Sequence, residues 1–355
     1  MTAAPRPPIH THDQTPESTA MTHTTIGSTT TTMQGTVQSG FGDPRSVLRV
    51  AEVARPELTS DGVLVRVRAA AVHVGTVYAV RGFPRLMRPM FRKFIAESGV
   101  IGLDMSGVVE AIGPDVTGVA VGDEVLGSCA GAFAEYAVTT QDRLVPKPSH
   151  LTFEQASAIG VSAFTALQAL RDHGQLQAGQ HVLITGASGG VGTFAVQIAR
   201  ATGATVTGVC STRNLELVRS IGADHVLDYT QQDVTSVDAR YDLVLDNVGA
   251  HSLRDMRGLL RPHGRLLSNG GPAPSGWVGG MGHPLRVMAA FLFARQQSRP
   301  FLATENQADR QTLQELTASG AITPVVDRVF PLRDAVDAVT AVGAGHNRGT
   351  SVIAL

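Results

Sequence analysis

The sequence is poor in cysteine, in charged side chains and in long apolar runs, and each shortage excludes a class of protein. Its 355 residues include only two cysteines, Cys129 and Cys210, too few for a disulfide framework or a four-cysteine zinc site. Charged residues make up 17% of the chain and the net charge is −1, so no basic footprint indicates a nucleic-acid partner. The apolar run VMAAFLFA at 287–294 is too short to cross a bilayer. We expect no membrane partner, and we predict that this run is a buried or pocket-lining helix.

The first 33 residues differ in composition from the rest of the chain. They are rich in Thr, Pro and His, and they show no apolar periodicity. Without an apolar core segment they do not form a secretory signal, and they cannot bury enough apolar surface to offset their ordering entropy. We therefore predict a disordered extension over residues 1–33 and a cytoplasmic location.

The remaining sequence shows two kinds of secondary-structure pattern. From Thr36 to about Pro148 it consists of short alternating segments such as GVLVRVRAAAV, separated by glycine turns, which is typical of half-buried strands. A helix is predicted from Thr152 to Gly174, and strands then alternate with helices, which implies a parallel sheet covered on both faces. From about Thr323 the chain is again β-like. The predicted fold class is α/β, a doubly wound parallel sheet with a β-rich domain.

The stretch ITGASGGVGTFAVQIARATGATVTGVCSTRN, residues 184–214, has the pattern of a strand, a glycine turn, a helix and a second strand. Its glycines follow a dinucleotide-binding fingerprint whose first position is Ala187. Gly189 lets backbone amides approach a pyrophosphate, Gly192 lets the helix pack close to the strand, and the helix N-terminus attracts the phosphates. The stretch predicts a bound dinucleotide; the alternative is a tight turn without a ligand.

The end of the second strand indicates which dinucleotide is bound. An NAD site places Asp or Glu there to hold the ribose hydroxyls, whereas this chain has Ser211, Thr212 and Arg213. Two hydroxyls and a guanidinium suit a 2′-phosphate, and a cation at a helix start is otherwise mildly unfavourable. We therefore predict NADPH as the cofactor; the alternative is that Arg213 is an ordinary surface cation.

Several long motifs extend over the chain from Thr36 onward. They include GLDMSGVVEAIGPDVTGVAVGDEVLG, GAFAEYAV, SAFTALQAL, GASGGVG, IGADHVLDY, YDLVLDNVG and ITPVVDRVFPL. With these motifs the sequence resembles the medium-chain dehydrogenase/reductase superfamily, in its zinc-independent quinone oxidoreductase branch. The resemblance implies a GroES-like domain at 34–159 and 323–355, a Rossmann NADP-binding domain at 160–322, and an active site in the cleft between them. It also implies a homodimer that acts on a small-molecule substrate.

The resemblance assigns cofactor contacts to matching positions. The glycine turn would contact the pyrophosphate, the end of the second strand would contact the 2′-phosphate, and later turns would border the nicotinamide end. The residues predicted to contact NADPH are Thr165, Ala187, Ser188, Gly189, Gly190, Val191, Gly192, Ser211, Thr212, Arg213, Asn247, Val248, Asn269, Gly270, Asn347 and Arg348.

The turn AAAVHVGTVYAVRG, residues 69–82, departs from the zinc enzymes of that superfamily. It has no cysteine, the later motif is Gly102-Leu103-Asp104 instead of a His-Glu pair, and a four-cysteine lobe is missing. We therefore predict no metal. Without a Lewis acid to polarise a carbonyl, alcohol oxidation is disfavoured, and hydride transfer to a quinone or an α,β-unsaturated carbonyl is favoured because the acceptor is already activated.

The same turn supplies two candidate catalytic residues. Relatives in the reductase branch carry Asn-Pro-x-Asp where this chain has His73-Val74-Gly75-Thr76. His73 either donates a proton or replaces the Asn as a polar wall residue, and Tyr78 matches an aromatic hydroxyl of the substrate cleft. Asp104 is expected to be a turn or surface residue.

The function that these observations predict is an NADPH-dependent, zinc-free reductase of quinones or activated alkenes. One alternative is a trans-acting enoyl or enone reductase of a biosynthetic pathway. Another, from a different class, is an NADPH-binding sensor or partner subunit with little or no turnover.

Overall fold

The computed structural model describes residues 1–2, 31–97, 99–269, 291, 294–298 and 301–355. The chain divides into Met1–Thr31 and Thr32–Leu355, and the helices and strands of the described residues all lie in the second unit. Most of the predicted disordered extension, and most of the apolar run at 287–294, lie outside the described residues. Met33, predicted as the end of the extension, lies instead in the first strand, where it is buried beside Val100.

The middle of the chain alternates strands and helices, as the sequence predicts. The strands are β1 (Thr32–Gln38), β2 (Leu48–Ala54), β3 (Gly62–Val72), β4 (Asp104–Ile112), β5 (Glu124–Ser128), β6 (Tyr136–Thr140), β7 (Leu144–Pro146), β8 (His181–Thr185), β9 (Thr205–Cys210), β10 (His225–Asp228), β11 (Tyr241–Asp246), β12 (Leu260–Ser268), β13 (Gln297–Ser298), β14 (Val326–Pro331) and β15 (Thr350–Ala354). The helices are α1 (Pro44–Val47), α2 (Val74–Arg81), α3 (Arg88–Glu97), α4 (Phe153–Ser157), α5 (Val161–Gln168), α6 (Gly190–Ala201), α7 (Leu215–Ser220), α8 (Leu253–Gly258), α9 (Gln307–Ala318) and α10 (Ala335–Ala344).

Both ends of the second unit contribute to one sheet. Its strand order is β14-β15-β3-β4-β5-β7, and β6 pairs with β3. The pairs are antiparallel except β14 with β15. A core that includes Met105, Phe133 and Val339 is buried beneath this sheet, so the C-terminal strands complete a structure that the first half of the chain begins.

The second sheet is parallel throughout and has the order β10-β9-β8-β11-β12-β13. The chain order reverses between β8 and β11, and α/β sheets of this kind bind ligands outside the carboxyl ends of the strands at such a reversal. Ile184, Phe194 and Leu243 belong to the core between the sheet and its helices. The predicted doubly wound α/β fold class is confirmed.

Two segments differ from the sequence prediction. Thr152 and Gln155 form the predicted capping box, but the helix is broken between α4 and α5, because the Val161 amide donates to the Asp104 carboxylate at 2.9 Å instead of to a helical carbonyl. The β-like C-terminal segment also contains α10. It is helical because one of its faces, which includes Val339, packs into the core under the first sheet.

Candidate functional site

The glycine turn between β8 and α6 has a backbone that only glycine allows at two positions. Gly186 has φ of 60°, in the left-handed region that glycine adopts without strain. A Cβ on Gly192 would lie 2.1 Å from the Gly186 carbonyl oxygen. The helix therefore starts in direct contact with the strand end, as the fingerprint requires.

The start of α6 fits a pyrophosphate. The amides of its first turn, at Gly190, Val191 and Gly192, precede the first intrahelical donor, since the Thr193 amide bonds to the Gly189 carbonyl. A Cβ on Gly189 would meet only the Gly186 carbonyl oxygen, at 3.4 Å. Open space in front of free amide donors at a helix N-terminus is the geometry that binds phosphate groups.

A loop near the C-terminus packs onto this turn. The Gly349 amide donates to the Ser188 carbonyl at 2.7 Å, and Gly189 and Gly349 form an isolated parallel bridge. Asn347, two residues earlier, has a buried Oδ1 without a hydrogen-bond partner among the described residues, and Arg348 is exposed. The structure thus brings two distant predicted cofactor residues to the glycine turn.

The three predicted 2′-phosphate residues have different partners. The Arg213 guanidinium is exposed and donates to the His346 carbonyl at 2.6 Å. The Thr212 hydroxyl donates to Asp228 at 2.6 Å, and this hydrogen bond is the largest of those that hold the pKa of Asp228 below its usual value. The Thr212 hydroxyl therefore already donates its proton to a carboxylate. The Ser211 hydroxyl and the remaining N–H groups of the Arg213 guanidinium are the groups that can bind a phosphate.

Asn214 is a residue of this region that the sequence analysis did not assign to the site. It is buried, and its side-chain amide donates to the Ser188 hydroxyl at 2.9 Å. Its Oδ1 has no partner among the described residues. Asn214 joins the end of β9 to the glycine turn; its position immediately before α7 is the only sequence signal for it.

The carboxyl ends of β8, β11 and β12 carry a connected set of polar groups. Thr185 donates to Asp246 at 2.7 Å, and the Asn247 side chain donates to the Thr185 carbonyl at 3.0 Å. Asn269 donates in turn to the Asn247 Oδ1 at 2.8 Å. Two predicted nicotinamide-end residues are therefore in direct contact, and Val248 beside them is 49% exposed. Gly270, which was predicted with them, lies outside the described residues.

Helix α5 connects the glycine turn to the other half of the site. The Ser162 hydroxyl lies 3.0 Å from where a Cβ of Gly190 would be, and the Thr165 hydroxyl donates to the Val161 carbonyl at 2.7 Å. The amide of Val161 bonds to Asp104, which follows the loop from α3. The first residues of α5 thus lie beside both the glycine turn and Asp104, whose carboxylate is next to His73.

His73 and Asp104 form a buried pair that sequence reasoning missed. Asp104 is only 3% exposed, so its expected role as a turn or surface residue is wrong. Its carboxyl group is covered by Gly160 and Val161 at the start of α5. Nε2 of His73 lies 4.0 Å from Oδ2 of Asp104, and both ring nitrogens are buried without a hydrogen-bond partner among the described residues.

Burial moves the two pKa values in opposite directions, because a low-dielectric surrounding disfavours either charged form. It lowers the pKa of His73 to about 4 and raises that of Asp104 to about 7, against the opposing hydrogen bond from Val161. Glu305 and Arg310 also act on Asp104 with opposite signs, and they are paired with each other. Between about pH 4 and pH 7 the pair therefore consists of an imidazole and a carboxylic acid.

Tyr78, the second candidate catalytic residue, lies one turn into α2 from His73. Its side chain is 36% exposed, and Val74 on the same helix face is 48% exposed. Tyr78 and Val74 are therefore exposed to solvent, whereas both ring nitrogens of His73 are buried.

Two properties of the described part of the chain concern metals and membranes. No group of three or more His, Cys, Asp or Glu side chains there is arranged to hold a metal ion. No helix there is long and apolar enough to cross a membrane.

Two family models match the sequence. Residues 59–149 match the alcohol dehydrogenase GroES-like domain, which contains strands β3 to β7 of the antiparallel sheet, and the GroES-like part of the predicted fold is confirmed. Residues 221–353 match the family described as zinc-binding dehydrogenase.

Individual relatives cover most of the chain. It is 33% identical over 332 residues to the mitochondrial NAD(P)H oxidoreductase RTN4IP1 of Mus musculus, covering 82% of this chain and 81% of that protein. It is 31% identical over 314 residues to the quinone oxidoreductase of Sus scrofa, covering 84% and 90%. The solved structure of the quinone oxidoreductase from Coxiella burnetii superposes with a TM-score of 0.79 at 27% identity, over 92% of this chain and 100% of that chain.

Proposed function

The chain belongs to the medium-chain dehydrogenase/reductase superfamily, in its quinone oxidoreductase-like branch, and from this premise we propose that it reduces a quinone or an α,β-unsaturated carbonyl compound with NADPH. Membership makes it an oxidoreductase that uses a pyridine nucleotide. The observation that carries the finer proposal is the His73–Asp104 pair, which is uncharged between about pH 4 and pH 7 and is linked to the glycine turn through Val161 and Ser162 at the start of α5.

The glycine turn and the end of β9 support NADPH as the cofactor. The first turn of α6 would hold the pyrophosphate, and Ser211 and Arg213 would hold the 2′-phosphate. The Asp228 carboxylate accepts hydrogen bonds from the Thr212 and Thr230 hydroxyls, so its oxygens already have partners other than the ribose hydroxyls that a carboxylate of an NAD site would hold. When bound, the reduced nicotinamide supplies the hydride.

Replacing Arg213 by alanine is expected to weaken NADPH binding by roughly 10- to 100-fold, the effect of losing one hydrogen bond to a charged group. NADH binding should be unchanged, because NADH has no 2′-phosphate. Dissociation constants for both cofactors, measured by fluorescence titration, check this. Arg219→Ala, a matched exposed arginine in α7, is the control. Equal losses for both cofactors would show instead that Arg213 acts only by holding the loop at His346.

The pair of His73 and Asp104 is suited to deliver the proton that completes the reduction. Hydride addition to the electrophilic carbon moves the electron pair of the acceptor onto its oxygen, which then needs a proton. In this proposal the acceptor oxygen reaches Nδ1 of His73, which gives this proton, and Nε2, 4.0 Å from Oδ2 of Asp104, closes to hydrogen-bond distance and takes one from the carboxyl group. Solvent then returns a proton to Nδ1 and Nε2 returns its own to the Asp104 carboxylate, so both groups regain their starting forms. Asp104 thus acts through His73, and Tyr78 contacts the acceptor at the exposed side.

This assignment predicts that kcat falls as the pH rises through about 7, where Asp104 loses its proton. His73→Asn should lower kcat by about 100-fold or more, the usual contribution of a general acid, and remove this pH dependence. Tyr78→Phe should raise KM and keep the pH dependence. Rates of NADPH oxidation with a quinone and an enone, at saturating concentrations over a range of pH, provide the measurement. A pH profile lost in Tyr78→Phe but kept in His73→Asn would reverse the two roles.

The absence of a metal, the homodimer, the cytoplasmic location and the domain boundaries at 159/160 and 322/323 remain predictions.

A further inference from the structure

Positive charge is concentrated in the segment that follows Tyr78. Residues 81–97, here called the basic segment, contain one acidic residue, Glu97, and five basic residues: Arg81, Arg85, Arg88, Arg92 and Lys93. Five positive charges against one negative charge give this segment +4, and because the whole chain carries −1, the rest of it carries −5. The near-zero net charge of the chain therefore conceals a strongly cationic site.

The same segment exposes large apolar side chains. Leu86 is 65% exposed, Met87 is 38% exposed and Met90 is 56% exposed. Single exposed apolar residues are ordinary, but three within five positions form a patch, which in soluble proteins marks an interaction site. By contrast, Val77 and Val80 in the preceding helix α2 are both 1% exposed.

Of the four arginines in the segment, Arg88 fixes it, and Arg85 and Arg92 face solvent. Nε of Arg88 donates to the Gly82 carbonyl at 3.1 Å, and its guanidinium lies 5.2 Å from the centre of the Phe41 ring. Arg85 and Arg92 are exposed, and neither has an ion-pair or hydrogen-bond partner within the part of the chain that the structure describes. The segment is thus anchored on one side and cationic on the other.

Contrary to the expectation from the sequence that the chain has no membrane partner, we propose that residues 85–93 form a docking surface for an anionic lipid membrane. Exposed apolar tips interleaved with long cationic side chains are the composition of a helix that lies in the headgroup region of a bilayer. There the apolar tips enter the acyl boundary, while each arginine near the surface is attracted by anionic headgroups. Charge complementarity favours this occupant, because the docking surface is the cationic part of an otherwise acidic protein.

The position of the docking surface has a consequence for the substrate, and this consequence rests on the proposed function. Helix α2, which carries the exposed side chains of Val74 and Tyr78, leads directly into the docking surface through Gly82. A bound membrane would therefore lie next to the entrance over α2. Quinones with long apolar tails, which reside in bilayers, are the acceptor class that this arrangement suits.

Vesicle binding tests the docking surface directly. The full chain is sedimented with vesicles of phosphatidylserine and phosphatidylcholine in equal parts, and with phosphatidylcholine alone. We expect binding to the anionic vesicles only, weakened by salt. Arg85→Glu/Arg92→Glu and Leu86→Ser/Met90→Ser should each reduce it by roughly tenfold or more. The control Arg45→Glu/Arg333→Glu alters side chains that are 68% and 81% exposed elsewhere and should bind like the wild type.

Three outcomes would overturn the proposal: no binding to either vesicle, equal binding to both, or equal losses in the control. If no vesicle binds and the variants convert a dimer to a monomer in gel filtration, the surface belongs to a second copy of the chain. Salt dependence of the wild type needs no variant, so a folding defect cannot hide the result.

Turnover separates this inference from the proposed function. A water-soluble quinone in buffer should be reduced equally by all these variants, and a long-chain quinone in anionic vesicles should be reduced more slowly by the docking-surface variants. Vesicle binding as expected, with no reduction of any acceptor, would refute the proposed function and leave the docking surface intact.

Discussion

Alanine at position 189 is expected to weaken NADPH binding by roughly 10- to 100-fold, because each lost hydrogen bond to a charged phosphate costs about 1.5–3 kcal/mol. The added methyl group meets only the Gly186 carbonyl oxygen, at an ordinary contact distance of 3.4 Å. The folded chain therefore accommodates it, and the melting temperature should not change. The methyl group does occupy the open space in front of the first turn of α6, where the pyrophosphate would lie.

Gly192→Ala is the matched control for Gly189→Ala, since the substitution is the same three residues away. A Cβ at Gly192 would lie 2.1 Å from the Gly186 carbonyl oxygen and 2.7 Å from the Ala187 Cα, both backbone atoms that cannot move aside. It should lower the melting temperature strongly. Fluorescence titration with NADPH and thermal unfolding of both variants give the comparison. If Gly189→Ala binds NADPH like the wild type, the glycine turn does not hold the pyrophosphate.

The sequence was sufficient for the fold where local patterns agree with long-range packing. The alternating stretch at Gly62–Val72 is a strand, and the glycine turn lies between a strand and a helix as its spacing requires. The prediction of secondary structure was wrong where a side chain distant in sequence interrupts a local helical pattern. The helix predicted from Thr152 breaks at Gly160, because the Asp104 carboxyl group occupies the position of a Cβ there, and no local pattern reveals that contact.

The candidate site shows the same limit. Residues of the glycine turn could be found because their chemistry depends on spacing within one segment. The contact between Ser188 and Gly349 depends on a chain crossover, and the partnership of His73 with Asp104 depends on how β4 is buried. Sequence reasoning considered His73 alone and expected Asp104 at the surface, and so it missed the pair that decides the protonation of both groups.

The stability of the wild type is expected to change little between about pH 4.5 and pH 6.5, although His73 and Asp104 both have shifted pKa values. In the unfolded chain the pair holds one proton there, on the histidine. In the folded protein the pKa of His73 is about 4 and that of Asp104 is about 7, so the pair again holds one proton, on the aspartic acid. Because the folded and unfolded states bind the same number of protons, the free energy of unfolding does not change with pH in this range.

Single substitutions of His73 and of Asp104 should reveal their opposed contributions to the pH dependence of the free energy of unfolding. In His73→Asn the folded state keeps a proton on Asp104 that the unfolded state loses, so stability should fall by up to about 4 kcal/mol as the pH rises from 4 to 7. In Asp104→Asn the unfolded state binds the extra proton on His73, so stability should fall by up to about 3 kcal/mol as the pH drops from 6.5 to 4. Glu305 and Arg310 are unchanged in both variants.

Free energies of unfolding from urea titrations at several pH values measure these slopes. The double variant His73→Asn/Asp104→Asn is the control, and its profile should be nearly flat like that of the wild type, since neither titrating group remains. Opposite slopes in the two single variants follow if burial raises the pKa of Asp104 and lowers that of His73. Single variants whose profiles run parallel to the wild type would show that the two groups are solvated, and the proton path from Asp104 through His73 would then lose its basis.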